Sequence, residues 1–411
     1  MSVVKPTLLF LAHRIPYPPT KGEKLRAYNL LKGLSETYDI WLGAPLDDPE
    51  DWQYRDALDA YCVETHIADI RGRTRHRAAV EAIARREPVS YAYFRERGMM
   101  DWVAKRTSER AFDAVFVYSS GAAPYLKAIR RAAGATIMDF VDVDSEKWRV
   151  LGETSKGPMK HVYAREAKLM RAEECRLGAL ADANLLVTDA ECALFTELTG
   201  LPAQTVGNGV DTAYWGAAKT IESPYSGKRE RVIFTGVMDY EPNVEAVTWF
   251  AAEAMPKLRA MGRSVEFVIA GGRPTKGVQT LGEAEDITVT GRVEDMRGWL
   301  GHADLAVAPL LLARGVQNKV LEAMAAGTPV LTTTPALTGI DAVPGQDALV
   351  CETGESFATA ICALLDDPAR QSAMAAAAQK FVQDGYGWGA KVSGLVEIIE
   401  GARDAAPAQV A

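Results

Sequence analysis

Cysteine is scarce and unpatterned in this chain. The five residues, Cys62, Cys175, Cys192, Cys351 and Cys362, are an odd number among 411, and no two form a Cys-x-x-Cys pair. That spacing argues against a disulfide framework and against a zinc site, and points to buried thiols in a reducing cytoplasm. Long apolar runs are missing too. The run Thr7 to Ala12 is trapped between Pro6 and His13, and nothing later approaches the ~18 apolar residues of a membrane span, so neither a signal peptide nor a transmembrane helix is expected. An excess of basic charge is also lacking: 46 Lys and Arg stand against 54 Asp and Glu, a net charge of −8, which speaks against a general nucleic-acid binder. There is no short-period repeat and no low-complexity domain; Ala375 to Ala378 is simply good helix former.

What is present is ordinary globular material, 48% hydrophobic and 24% charged, in a length that suggests two or three domains with full cores. The two halves differ electrostatically. Residues 1–200 carry 29 bases and 29 acids, so the remaining 17 bases and 25 acids place the whole negative excess in residues 201–411. Within the neutral half, Arg71, Arg73, Arg75, Arg77, Arg85, Arg86, Arg95 and Arg97 face only Glu81, Glu87 and Glu96. A basic amphipathic stretch over 71–97 suits peripheral contact with anionic lipid headgroups. It equally suits a solvated helix face.

Short apolar runs alternate with helical periodicity along the whole chain. Thr7–Ala12, Ile40–Ala44, Ala114–Tyr118, Thr136–Val141 and Ala183–Val187 read as buried strands. After a polar stretch around Thr212–Lys228 the pattern restarts with Arg231–Thr235, Val265–Ala270, Ile287–Thr290, Asp304–Ala308 and Pro329–Thr332. Parallel neighbours need long crossovers, so the expectation is α/β with two doubly wound domains, 1–210 and 211–385, and a last helix at about 386–403 packing back on the first. Such sheets bind ligands beyond the carboxyl ends of their strands, and two of them facing each other form a cleft.

The most informative stretch is GVQNKVLEAMAAGTPVL, Gly315 to Leu331. It opens a helix after a strand and stops at Gly327 before the next. Free amides at such a helix start, here Gly315, Val316, Gln317 and Asn318, attract a diphosphate, and Lys319 adds a full positive charge. Glu322, three residues on, lies on the same face and can accept hydrogen bonds from a ribose diol. The same spacing also describes an exposed Lys–Glu pair on an ordinary helix. Gly236, at the end of its strand, would let backbone approach a phosphate or merely make a turn.

Four segments together resemble the family-4 retaining glycosyltransferases of GT-B fold: GNGVD (207–211), FTGVMDYEPNVEAVTWF (234–250), GRVEDMRGWLGHADLAVAPL (291–310) and EAMAAGTPV after Lys319. HRIPYPPTKGEKLRAYNLLKGL (13–34) and DFVDVDSEKW (139–148) resemble the exosortase-associated exopolysaccharide branch. The resemblance implies two Rossmann-like domains, a nucleotide-diphosphate sugar as donor substrate with no resident cofactor or metal, and a glycan or polyprenyl-diphosphate-linked acceptor. In the family's Glu-x7-Glu motif the second Glu, which holds the ribose, matches Glu322. The first falls at Arg314, a departure from the family. The Arg and Lys that usually follow the first strand of the second domain are absent from GVMDYEPN, leaving Lys319, Arg292 and Arg314 to supply positive charge. Arg292 and Val293 match the nucleotide-base contact, partly through backbone. In the first domain the matching loop touches acceptor and diphosphate, which implicates Lys21, Gly22 and Arg26, with Lys24 adding charge at the helix start. Asp142 stands where relatives often place a cleft-facing His or Asp, which makes it a catalytic candidate. For Asp142-Val143-Asp144 three uses remain open: acceptor positioning or catalysis, divalent-cation binding of the kind GT-A enzymes use, and helix capping by Asp144 or Ser145. Two other functions share the scaffold, a nucleotide-sugar epimerase and a non-catalytic nucleotide-sugar-binding scaffold.

Overall fold

The computed structural model describes residues 4–19, 22–131, 134–155, 157–313 and 316–405. Chain contacts divide it into two compact units, Met1–Gly207 with Lys391–Ala411, and Asn208–Ala390.

The first unit carries seven strands: β1 (Thr7–Ala12), β2 (Asp39–Leu46), β3 (Glu64–Asp69), β4 (Ala114–Tyr118), β5 (Thr136–Val141), β6 (Ala183–Leu186) and β7 (Gln204–Thr205). All pair parallel, in the order β3-β2-β1-β4-β5-β6-β7. The second unit carries β8 (Glu230–Thr235), β9 (Val265–Ala270), β10 (Ile287–Gly291), β11 (Leu305–Ala308), β12 (Val330–Thr332) and β13 (Leu349–Val350), again parallel, in the order β10-β9-β8-β11-β12-β13. Central strands such as Leu8–Leu11 and Val232–Phe234 are fully buried, because helices cover both faces of a doubly wound sheet.

The three strands that periodicity missed, β3, β7 and β13, all lie at sheet edges. Gln204 and Thr205 are exposed and Leu349 and Val350 only partly buried, so an edge strand lacks the continuous apolar run that marks a central one.

In both sheets the strand order reverses beside the first strand, between β1 and β4 and between β8 and β11. Crevices for ligands open beyond the carboxyl ends of strands at such switch points. The Trp388–Ala405 helix returns to the first unit from Lys391 onward. There Val392 packs so tightly on Gly33 that a β-carbon at 33 would lie 2.4 Å from it, and Arg403 donates to Asp113 across 3.0 Å.

Candidate functional site

In the second unit, the strand β8 delivers Gly236 to the switch point, and β11 leads through a loop to the Asn318–Ala325 helix on the other side. Two bare glycines let these elements approach. A β-carbon on Gly271 (φ +148°) would meet the Gly236 carbonyl oxygen at 1.7 Å, and one on Gly236 would come within 2.7 Å of Asn243 Nδ2 and 3.4 Å of Lys319 Nζ. Side chains are thereby excluded from the floor of the crevice.

Around that floor the structure gathers Lys319, Asn243 and Phe234. Lys319 Nζ donates to Asn243 Oδ1 and lies 4.3 Å from the centroid of the Phe234 ring, a cation–π arrangement. Asn243 Nδ2 in turn donates to the Val237 carbonyl at 2.9 Å, so its orientation is held. Burial pulls the Lys319 ammonium down to about 7 while the Glu322 carboxylate pulls the other way. Burial likewise pushes Glu322 up to about 7, opposed by Lys319. Each charge is therefore sustained mainly by the other. The helix begins at Asn318, its cap position Gln317 making no side-chain cap bond, and Asn318 Oδ1 is buried with no partner among the described residues. Uncapped amides beside an ammonium favour an anionic ligand. Arg314 and Gly315 lie outside the described residues, and Val316 packs partly buried on the hydrophobic core of the unit.

Arg292 is exposed and Val293 partly buried, directly after Gly291 (φ +66°) at the end of β10. Beside Glu322 stands a group that sequence reasoning passed over: Tyr214, 41% exposed, whose phenol feels the carboxylates of Asp295 and Glu322, with the Arg297 guanidinium 4.2 Å from its ring centroid. Asn243 was also missed. Its signal was available, since Asn243, Ala246, Val247 and Phe250 form one buried stripe of the Glu241–Glu253 helix, and a polar residue in that stripe needs a partner.

The first unit alters several expectations. Lys21 lies outside the described residues. Gly22 opens the Gly22–Thr37 helix, and a β-carbon there would meet nothing within 4 Å, so packing does not demand glycine. Lys24 and Arg26 do not present charge at the helix start. Both are buried, Lys24 paired with Asp51 and Arg26 gripping Asp139 through Nε (3.0 Å) and Nη2 (2.8 Å) and reaching the Gly207 carbonyl at 3.2 Å. Arg26 is thus a correction to the acceptor-contact expectation. A helical periodicity that turns it inward makes it a structural tie to β5.

Asp142 is exposed and Asp144 partly buried at the start of the Asp144–Thr154 helix. Capping by Asp144 or Ser145 does not occur, because the cap position is Val143 with no side-chain bond. The amides there are taken instead by carboxylates of other helices: Val143 N donates to Glu191 and Ser145 N to Glu174, both at 2.8 Å. Burial raises Asp144 to about 6 and Glu174 to about 7. Among the described residues no group of three or more His, Cys, Asp or Glu is placed to hold a metal ion. The arginine run is largely neutralised at its ends. Arg71 pairs with Asp69, Arg73 with Glu81, and Arg95 with Glu81 and Glu87.

Residues 229–367 match the family of glycosyl transferases group 1, a span that contains Gly236, Asn243, Arg292, Lys319 and Glu322. The chain is 28% identical over 255 residues to a glycogen synthase of Mycobacterium tuberculosis, covering 59% of this chain and 58% of that protein. It is 28% identical over 161 residues to a phosphatidyl-myo-inositol mannosyltransferase of Propionibacterium freudenreichii, covering 38% and 39%. The chain thus spans about three fifths of the length of the glycogen synthase it matches. Among solved structures, sucrose-phosphate synthase from Thermosynechococcus elongatus superposes with a TM-score of 0.65 at 14% identity, over 98% of this chain and 100% of that one. Anabaena HepE in complex with UDP and glucose gives 0.62 at 13%, over 96% and 99%. The fold is the GT-B fold, as the motif resemblance implied. No helix among the described residues is long and apolar enough to cross a membrane.

Proposed function

We propose that the protein is a retaining glycosyltransferase that moves one sugar from a nucleotide-diphosphate donor to a hydroxyl of a glycan or polyprenyl-diphosphate-linked acceptor, in the synthesis of an exopolysaccharide. The observation that carries the reading is the Gly236–Asn243–Lys319–Glu322 constellation at the switch point of the second sheet. In this reading Glu322 receives the ribose hydroxyls. The uncapped helix start and Lys319 face the diphosphate, and the Arg292–Val293 backbone meets the base.

Departure of the diphosphate concentrates negative charge beside Lys319, so its ammonium and the helix amides stabilise the transition state more than the ground state. No resident metal or cofactor is invoked. Retention follows if the acceptor attacks the face the diphosphate leaves and the diphosphate takes the acceptor proton, which requires no protein nucleophile. Asp142 orients the acceptor hydroxyl. The HepE structure with UDP and glucose supports a nucleotide-sugar donor by analogy of fold, and the exopolysaccharide assignment rests on the resemblance of 13–34 and 139–148.

The test is a thermal-shift screen of UDP, GDP, ADP and their sugars, followed by transfer of labelled sugar to lipid-linked and soluble glycans. One nucleotide should stabilise the protein and its sugar should be transferred with retained anomeric configuration. Isomerisation of the donor alone would make the protein an epimerase. Tight nucleotide binding without turnover would make it a binding scaffold.

A further inference from the structure

The Arg75–Arg85 helix is built inside out. Its alanines Ala78 and Ala82 are fully buried, packed with Ala92 of the following Val89–Phe94 helix, whereas Val80 is 70% exposed and Ile83 65% exposed. Helices of globular proteins bury their larger apolar side chains, since the transfer free energy scales with apolar area. The apolar stripe here instead faces outward, with His76 and Arg77 on the same exposed side.

A second helix is tied to the C-terminal end of this one. Arg165, on the Met159–Gly178 helix, donates to the Ala82 carbonyl at 3.1 Å, and Glu166 accepts from Val89 N at 2.6 Å, so this helix is tied to the end of the Arg75–Arg85 helix and to the start of the next. One turn and two turns before Arg165 and Glu166, Val162 and Met159 are exposed, 46% and 45%, together with Lys160 and His161.

Charge on this face is mainly positive. The acids of the neighbourhood are engaged, Glu81 and Glu87 by Arg73 and Arg95, Glu166 by Val89 N and Glu153 by Arg149, while Arg77 and Arg86 have no ion pair among the described residues and Arg85 keeps 60% of its side chain exposed beside Glu81. Four apolar side chains ringed by cations match an interface where hydrocarbon lies beneath anionic headgroups.

We infer that Val80, Ile83, Met159 and Val162, rimmed by Arg77, Arg86 and Lys160, form a docking surface for an anionic lipid bilayer, which would hold the first unit where a lipid-linked acceptor resides. The surface deepens the lipid-linked acceptor reading, but its test measures adsorption to vesicles and never transfer, so the two fail independently.

The full chain is mixed with phosphatidylglycerol/phosphatidylcholine vesicles or with pure phosphatidylcholine vesicles and floated on a density gradient. The wild type should float with the anionic vesicles and remain behind with the neutral ones. Val80→Ser with Ile83→Ser should lower vesicle affinity about tenfold or more. Arg77→Gln with Arg86→Gln should lower it about 30-fold and flatten its salt dependence. Arg97→Gln, at a 94% exposed arginine next to Asp101, should change it little. Because every altered side chain is exposed, thermal midpoints should match the wild type, which excludes misfolding as the cause. The inference is overturned if the wild type stays behind at low salt, if the variants float equally well, or if Val80→Ser with Ile83→Ser abolishes a concentration-dependent dimer while the wild type never floats.

Discussion

Lys319 and Glu322 titrate against each other, and removing one should expose the other in the pH dependence of nucleotide binding. Both sit near about 7, Lys319 lowered by burial and held up by Glu322, Glu322 raised by burial and held down by Lys319. A diphosphate needs the lysine protonated, so that contribution fades as pH rises. Ribose hydroxyls are best accepted by the ionised carboxylate, so that contribution grows as pH rises. In the wild type the two tendencies oppose and the profile should be shallow. Glu322→Gln removes the group that supports the ammonium, so Lys319 should titrate below about 7 and affinity should fall with rising pH. Lys319→Met removes the charge that holds Glu322 down, so affinity should rise with pH, with a midpoint above about 7. A hydrogen bond to a charged group contributes about 1.5–3 kcal/mol, so each variant should bind about ten- to 150-fold more weakly than wild type at its unfavourable extreme. Calorimetric titration with the stabilising nucleoside diphosphate from about pH 6.5 to 9, where its phosphates are already mostly ionised, reads this directly. Profiles of the same slope in both variants, or wild-type affinity throughout, would refute the coupling and remove the donor from this helix.

Gly271→Ala should lower both thermal stability and nucleotide affinity, because its β-carbon would stand 1.7 Å from the Gly236 carbonyl oxygen; unchanged melting and binding would mean that this loop is not a rigid floor. Arg26→Met strands Asp139, which is fully buried, and should cost about 3–5 kcal/mol in denaturant unfolding, with much of the loss recovered by adding Asp139→Leu; a neutral Arg26→Met would return Arg26 to the acceptor. Glu174 is raised to about 7 from 4.5, so the folded state holds the extra proton and its contribution to stability is lost as pH rises from about 4.5 through 7. Glu174→Gln should therefore shrink the stability difference between about pH 5 and pH 8 by about 2–3 kcal/mol, and an unaltered slope would place the linkage elsewhere. Excess EDTA should leave the initial transfer rate nearly unchanged, since Lys319 and helix amides neutralise the diphosphate in the proposed mechanism; a complete loss restored by Mg²⁺ would move that task to Asp142 and Asp144.

The alternation of apolar runs with helical stretches was enough to read two doubly wound sheets, because a central parallel strand is buried on both faces and must be apolar throughout. The GVQNKVLEAM stretch was legible for a related reason: a helix start, a lysine and a glutamate three residues apart are local features, and locality survives folding. Contacts across the chain were not legible. Asn243 meets Lys319 over 76 residues, and Arg26 meets Asp139 over 113; in each case the linear pattern names a polar residue on a helix but not the side chain that packs opposite. The inverted face of the Arg75–Arg85 helix has the same origin. Its composition announces an amphipathic basic segment, but which arc is buried depends on whether the Val89–Phe94 helix covers the alanines or the valine and isoleucine. That choice is made by close packing of neighbouring elements, which admits the small side chains and leaves the large ones outside.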